Sequence, residues 1–184
     1  MHTYAGIGLR ETPFDIQVLM FKIARAIPAK LHSGGAPGAD HAFEKGAVSN
    51  SNKAVIYLPW NNFCNKTIGI KGNIEYTVLK DSKAAELAAN VHPNWNACSK
   101  GAKMLHARNS YQVLGSNLNT PVNLVICWTK DGKLTGGTAQ ALRIAKMYNI
   151  PVINFGEKEY NSDMFDRRKY AEYNIRQIFP TFSL

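Results

Sequence analysis

Two glycine-rich turns carry the residues whose types and spacing are best suited to chemistry. They are Ser33-Gly34-Gly35-Ala36-Pro37-Gly38-Ala39-Asp40 and Thr135-Gly136-Gly137-Thr138-Ala139-Gln140, and each follows a stretch that reads as a strand and precedes one that reads as a helix. Such a turn offers unblocked backbone N–H groups and the positive end of a helix, the arrangement that holds a phosphate. In the first turn Gly34, Gly35 and Gly38, with Ala36 among them, supply a concave nest of donors. Ser33 adds a hydroxyl, and Asp40 either caps the helix or accepts from a ribose hydroxyl. In the second turn Gly136 and Gly137 repeat the arrangement, and Thr138 either caps the helix or reaches a phosphate with its hydroxyl. A third strand end, Gly6-Ile7-Gly8-Leu9-Arg10-Glu11-Thr12, brings Gly8, where a ligand can approach the backbone, and Arg10, which can pair bidentately with phosphate. Thr12 lies at the same strand end as an N-cap, with Pro13 at the first helical position. Trp128 and Thr129 close the strand before the second turn, where the indole either stacks on a base or packs in the core.

Several other chemistries are excluded by what is missing. No Gly-Lys-Ser/Thr follows the first turn, so it is not a Walker phosphate loop, and Glu11 stands where a dinucleotide fingerprint needs its third glycine. His2, His32, His41, His92 and His106 show no ligand-type spacing, so no metal site is expected. No nucleophile elbow occurs, and no zinc or zipper DNA-reading signature is present. No catalytic residue is assigned.

The elements that must position these residues alternate strand and helix. Strands are expected at 2–8, 30–33, 53–59, 122–128 and 151–155, the fourth buried on both faces by its composition. Helices are expected at about 13–27, 40–48, 74–90, 100–113, 139–148 and 164–179, with 60–72 a long polar loop. This alternation implies right-handed βαβ units and a mostly parallel, doubly wound, Rossmann-like α/β sheet flanked by helices. Ligands in such sheets bind at the carboxyl ends of strands, where both glycine turns fall. Residues 1–184 read as one domain with a C-terminal helical extension at about 163–180, which either forms an interface or packs on its own sheet.

The 184 residues suffice for one sizeable core, and 45% apolar with 19% charged content fits a globular chain. No run approaches the roughly 18 apolar residues of a membrane span. No leader-like segment opens the sequence, and Cys64, Cys98 and Cys127 are widely spaced without a CxxC pair. Both features fit a cytoplasmic protein with reduced thiols. A net charge of +9 and a pI near 9.5 favour a phosphate-bearing ligand or single-stranded nucleic acid as partner.

Gly-x-Arg after the first strand, Ser-Gly-Gly-Ala-x-Gly-Ala-Asp after the second and Gly-Gly-Thr-x-Gln-Ala after a later one together resemble the SLOG superfamily. That group includes the DNA-processing protein A and lonely-guy families. Arg108-Asn109-Ser110-Tyr111-Gln112 is similar to the Arg-Asn element that precedes the central strand in DNA-processing proteins, and the likeness covers about 3–155. It is nearest to small standalone members, often from bacteriophage or mobile elements. The resemblance implies a nucleotide pocket in which Arg10 and Arg108 neutralise phosphate charge while Asn109 and Gln140 bond ribose or base.

Departures from the family matter. Lonely-guy hydrolases use a glutamate after their glycine turn, whereas this chain has Thr138-Ala139-Gln140-Ala141, and an amide cannot replace a carboxylate as general base. Asp40 or Glu44 remains as a substitute. Leu9 stands where DNA-processing proteins commonly carry serine, and no winged-helix module is appended. A further SLOG branch binds NAD-derived signals in anti-phage defence. The expectation is therefore a non-catalytic binder of a small nucleotide-derived ligand, of the ADP-ribose or cyclic-nucleotide type, needing no cofactor. The alternatives are a single-strand nucleic-acid binder and a nucleoside-monophosphate N-glycosidase. A homo-oligomer is expected by likeness to lonely-guy relatives.

Overall fold

Seven short strands form one sheet in the computed structural model, which describes residues 2–160 and 163–184. They are β1 (Thr3–Gly6), β2 (Lys30–Ser33), β3 (Ala54–Tyr57), β4 (Gly69–Lys71), β5 (Ile74–Thr77), β6 (Leu124–Cys127) and β7 (Val152–Asn154). Their order across the sheet is β4-β5-β3-β2-β1-β6-β7. Every pairing is parallel except β4 with β5.

Strand residues alternate between two faces, so each central strand feeds two cores. Tyr4, Leu31, Ile56, Leu124 and Ile126 enter one core with helices α1 (Phe14–Ala26), α2 (Ala39–Ser49) and α6 (Met164–Arg176). Ala5, Val55, Tyr57, Val125 and Cys127 enter the other with α3 (Ser82–Val91), α4 (Lys100–Leu114) and α5 (Thr138–Met147). The result is the mostly parallel, doubly wound α/β sandwich that the alternation of elements implies.

Two segments differ from the sequence reading. Residues 60–72 are not all loop and 74–90 is not one helix: Gly69–Lys71 and Ile74–Thr77 form a hairpin on the sheet's edge, turning at Gly72 with φ 58°. The reason is period-two burial. Ile74 and Tyr76 are buried while Glu75 is exposed, and β5 takes its ladder from β3. The helix starts only at Ser82, capped by Asp81 on the Lys83 N–H. Helix α1 begins at Phe14 without a side-chain cap, because the Thr12 hydroxyl donates to the Leu9 carbonyl instead, at 2.7 Å.

The C-terminal helix packs into the chain's own core. Ala171 and Ile175 of α6, with Phe179 and Phe182 beyond it, enter the α1–α2 core. Arg167 ties the helix down, pairing with Asp15 at 2.6 Å and donating to the Tyr160 carbonyl. No helix among the described residues is long and apolar enough to cross a membrane.

Candidate functional site

The chain runs outward from β1 through β2 and β3, then returns across the sheet to β6 on the other side of β1. That reversal opens a crevice at the carboxyl ends of β1 and β6. A pocket of about 450 Å³ lies there. Its walls come from the loop after β1, the two glycine turns, Phe63 and one face of α4.

The first glycine turn builds this wall by close packing. Gly38 adopts φ 82°, and a Cβ there would lie 2.5 to 2.6 Å from the carbonyl oxygens of Arg10 and Leu9. Only glycine lets the first and second strand ends approach so closely. At Gly34 an added Cβ would collide with the Arg108 guanidinium, which lies across the turn. Arg108 comes from α4 and is only 8% exposed. Its Nη1 sits 3.6 Å from Asp40 Oδ2, and its guanidinium lies over the Phe63 ring at 6.0 Å.

Gln112, one turn further along α4, locks this arrangement. With its amide turned to satisfy all three partners, its oxygen accepts from the Gly34 N–H and Arg108 Nη1 while its nitrogen donates to Asn109 Oδ1. Asn109 Nδ2 in turn donates to the Gly137 carbonyl at 2.9 Å, tying α4 to the second glycine turn. Arg108 Nε finds no hydrogen-bond partner among the described residues although it is buried. Nε itself is covered by protein, and the small exposed part of the Arg108 side chain is what brings positive charge to the pocket wall.

The opposite wall is the start of α5. Helix α5 has no side-chain cap among the described residues, and a Cβ at Gly137 would meet nothing. Gly136, Gly137 and Thr138 line the pocket at the positive end of the helix, while the Gln140 N–H turns back to the Gly137 carbonyl. Burial pushes the Asp40 carboxyl up to about 6, against the pull of Arg108 and of the Ala36 and Gly8 N–H groups. His106, also in the wall, is held below the usual imidazole range by burial and by His92, Arg143 and Arg108.

Of the residues singled out in the sequence, Gly8, Arg10, Ala36, Asp40, Arg108, Asn109, Gly136, Gly137 and Thr138 meet at this pocket. Others serve the scaffold. The Ser33 hydroxyl donates to the Gly6 carbonyl at 2.7 Å, and Gly34, Gly35 and Gly38 shape the turn behind the pocket. Thr129 is buried and accepts from Asn154 Nδ2, while Trp128 packs against the α1–α2 core. Gln140 points away from the pocket, donating to the Ala88 carbonyl of α3 at 2.7 Å. Glu44 accepts from Lys66 and Tyr76 and pins the loop that carries Phe63.

Sequence reasoning did not single out Phe63, Leu105 or His106 as pocket residues, and it named Gln112 only within the Arg-Asn element. Ala102, Leu105, Asn109 and Gln112 recur at helical spacing, which was the available signal for α4's pocket face. The fold also groups histidines that sequence spacing had left apart. His92, Cys98 and His106 place their ligand atoms within 4.8 Å of one another. His32, by contrast, is buried edge-on to Tyr57 and is lowered to about 4, chiefly by burial.

No protein-family model matches the sequence, and no curated protein matches it. Solved structures do match. DNA processing protein A from Helicobacter pylori, described for its single-stranded DNA binding mode, is similar with a TM-score of 0.58 at 19% identity, over 96% of this chain and 81% of that one. The molybdenum cofactor carrier protein from Chlamydomonas reinhardtii is similar with a TM-score of 0.51 at 16% identity, over 99% of this chain and 88% of that one. At these identities the likeness is one of fold, and the chain shares with both the Rossmann-like architecture of a single α/β domain with a mostly parallel sheet.

Proposed function

We propose that this chain binds a small nucleotide-derived ligand in the crevice at the ends of β1 and β6, and holds it without cutting it. The observation that carries the reading is Arg108: a mostly buried cation in the pocket wall, seated on the first glycine turn beside Asp40. Arg10 and the uncapped start of α5 add positive potential, so phosphate oxygens have donors on two walls. The volume of about 450 Å³ suits a small ligand. Phe63 and Leu105 offer apolar surface to a base.

Non-catalytic binding fits the second turn, where Gln140 stands in place of a hydrolase carboxylate and is committed to α3. The SLOG resemblance points to an ADP-ribose-type or cyclic-nucleotide signal as ligand, with sequestration of a defence signal as one use of such binding. Single-strand nucleic-acid binding is the second reading, favoured by the net charge of +9.

Native mass spectrometry of the purified chain, followed by denaturation, separates these readings. A co-purified small nucleotide, or a complex formed with added ADP-ribose or cyclic nucleotide, supports the proposal. Binding of single-stranded oligonucleotides alone supports the second reading. Release of free base from nucleoside monophosphates would show a hydrolase.

A further inference from the structure

The loop between α3 and α4 brings three metal-ligating side chains to one point beside the pocket. His92 is the C-cap of α3, Cys98 follows the single 3-10 turn Trp95–Ala97, and His106 lies two turns into α4. Backbone bonds fix each position. The His92 N–H donates to the Ala88 carbonyl, the Cys98 N–H to the Trp95 carbonyl, and Ser99 caps α4 on the Ala102 N–H. All three side chains are half-buried, so an ion can enter and still be shielded.

The geometry points to a binding site for a zinc-class ion held by His92, Cys98 and His106. Two imidazoles and a thiolate are the donors such an ion takes, and they are poorly suited to magnesium or calcium. A tetrahedral ion with ordinary zinc–sulfur and zinc–nitrogen bonds sets its sulfur and nitrogen ligands about 3.6 Å apart. Cys98 Sγ lies 3.6 Å from His92 Nε2. The His92 and His106 ring centroids are 4.6 Å apart with the planes inclined at 50°, so the two imidazoles lie side by side without stacking flat. His106 Nδ1 is buried without a partner among the described residues, an orphaned polar atom that neither the fold nor the nucleotide reading uses.

Binding displaces protons in a balanced way. The thiol gives up its proton to solvent as the sulfur bonds the ion. His92 Nδ1 accepts the Asn94 N–H at 3.1 Å in the metal-free chain. Ligation through Nε2 therefore moves the ring proton to Nδ1 and releases the exposed Asn94 amide to water. Three protein donors leave the fourth tetrahedral position to water. Because the His106 ring also lines the pocket, the ion would carry its charge to the pocket's rim.

The test is a Co2+ titration of the untagged, chelator-stripped full chain, followed by absorption. The expected result is a thiolate-to-cobalt charge-transfer band with the visible bands of a tetrahedral ion, saturating at one equivalent and erased by added Zn2+. Cys98→Ser should lose the charge-transfer band, while Cys64→Ser, which removes an exposed cysteine outside the cluster, should keep it. His92→Ala and His106→Ala should each lose the stoichiometric end point. A folded wild-type chain giving no such band would overturn the proposal, and so would a band that survives in Cys98→Ser. The wild-type titration decides the matter even if a variant fails to fold.

Discussion

Arg108 concentrates the chemistry of the site in one side chain, because its cation is buried in the pocket wall and offset by Asp40. Its partner Asp40 sits 3.6 Å away with a carboxyl raised to about 6 by burial. Arg108→Met keeps the bulk but leaves Asp40 buried without its cation, a change expected to cost about 3–5 kcal/mol of stability. Urea unfolding should show that loss, and Arg108→Met with Asp40→Asn should recover part of it. Ligand affinity should fall roughly 10- to 100-fold for a lost charge-assisted contact. The same pair sets a pH dependence. As pH falls through about 6, Asp40 takes up a proton and no longer offsets Arg108, so an anionic ligand binds more tightly. For ADP-ribose, whose pyrophosphate keeps its charge in this window, affinity should rise roughly tenfold from about pH 8 to pH 5 if the ligand raises the carboxyl by about one unit. Calorimetry at several pH values checks this, and Asp40→Asn should remove the rise centred near 6, leaving only what His106 in the same wall contributes.

At the scale of elements, the site depends on how α4 and α5 are tied to the sheet and to each other. Asn109 holds Gly137, and Gln140 holds Ala88 of α3. Gln140→Leu removes one of the two donors to the Ala88 carbonyl, leaving the His92 N–H, and should lower stability by about 0.5–1.5 kcal/mol in urea unfolding, with nucleotide affinity unchanged. Gln140→Glu should also destabilise, since it sets a buried carboxylate against a carbonyl, and should not create base-releasing activity. The alternation of strands and helices was legible because apolar runs such as Leu124–Cys127 and glycine turns punctuate the chain. The edge hairpin was not. Its strands hold three and four residues, and the helix-forming composition of 82–91 masks the alternation of Ile74, Glu75 and Tyr76. Site residues on glycine turns were legible by type, but the first turn's glycines proved to seat Arg108 and the β1 loop. N–H groups of that turn have partners that sequence cannot show, such as Gln112 for Gly34 and Asp40 for Ala36.

The whole molecule presents a crevice at a sheet's switch point, a strongly basic balance and a C-terminal helix locked onto its own core. Arg167 joins that helix to α1 through Asp15 and to the Tyr160 carbonyl. Arg167→Ala should therefore lower the melting temperature without altering nucleotide affinity, read by calorimetry on the same sample. Charge acts differently in the two binding readings. A compact ligand in a formed pocket releases few counterions, whereas a strand bound across the surface releases many. Calorimetric titration of ADP-ribose, a cyclic nucleotide and a single-stranded oligonucleotide into wild type and Arg108→Met, at roughly 50 and 200 mM salt, tests the central claim most directly. The account predicts one-to-one binding of a small nucleotide that weakens little with salt and weakens roughly 10- to 100-fold in Arg108→Met. Tight oligonucleotide binding with a steep salt dependence, and no heat from either small nucleotide, would contradict it.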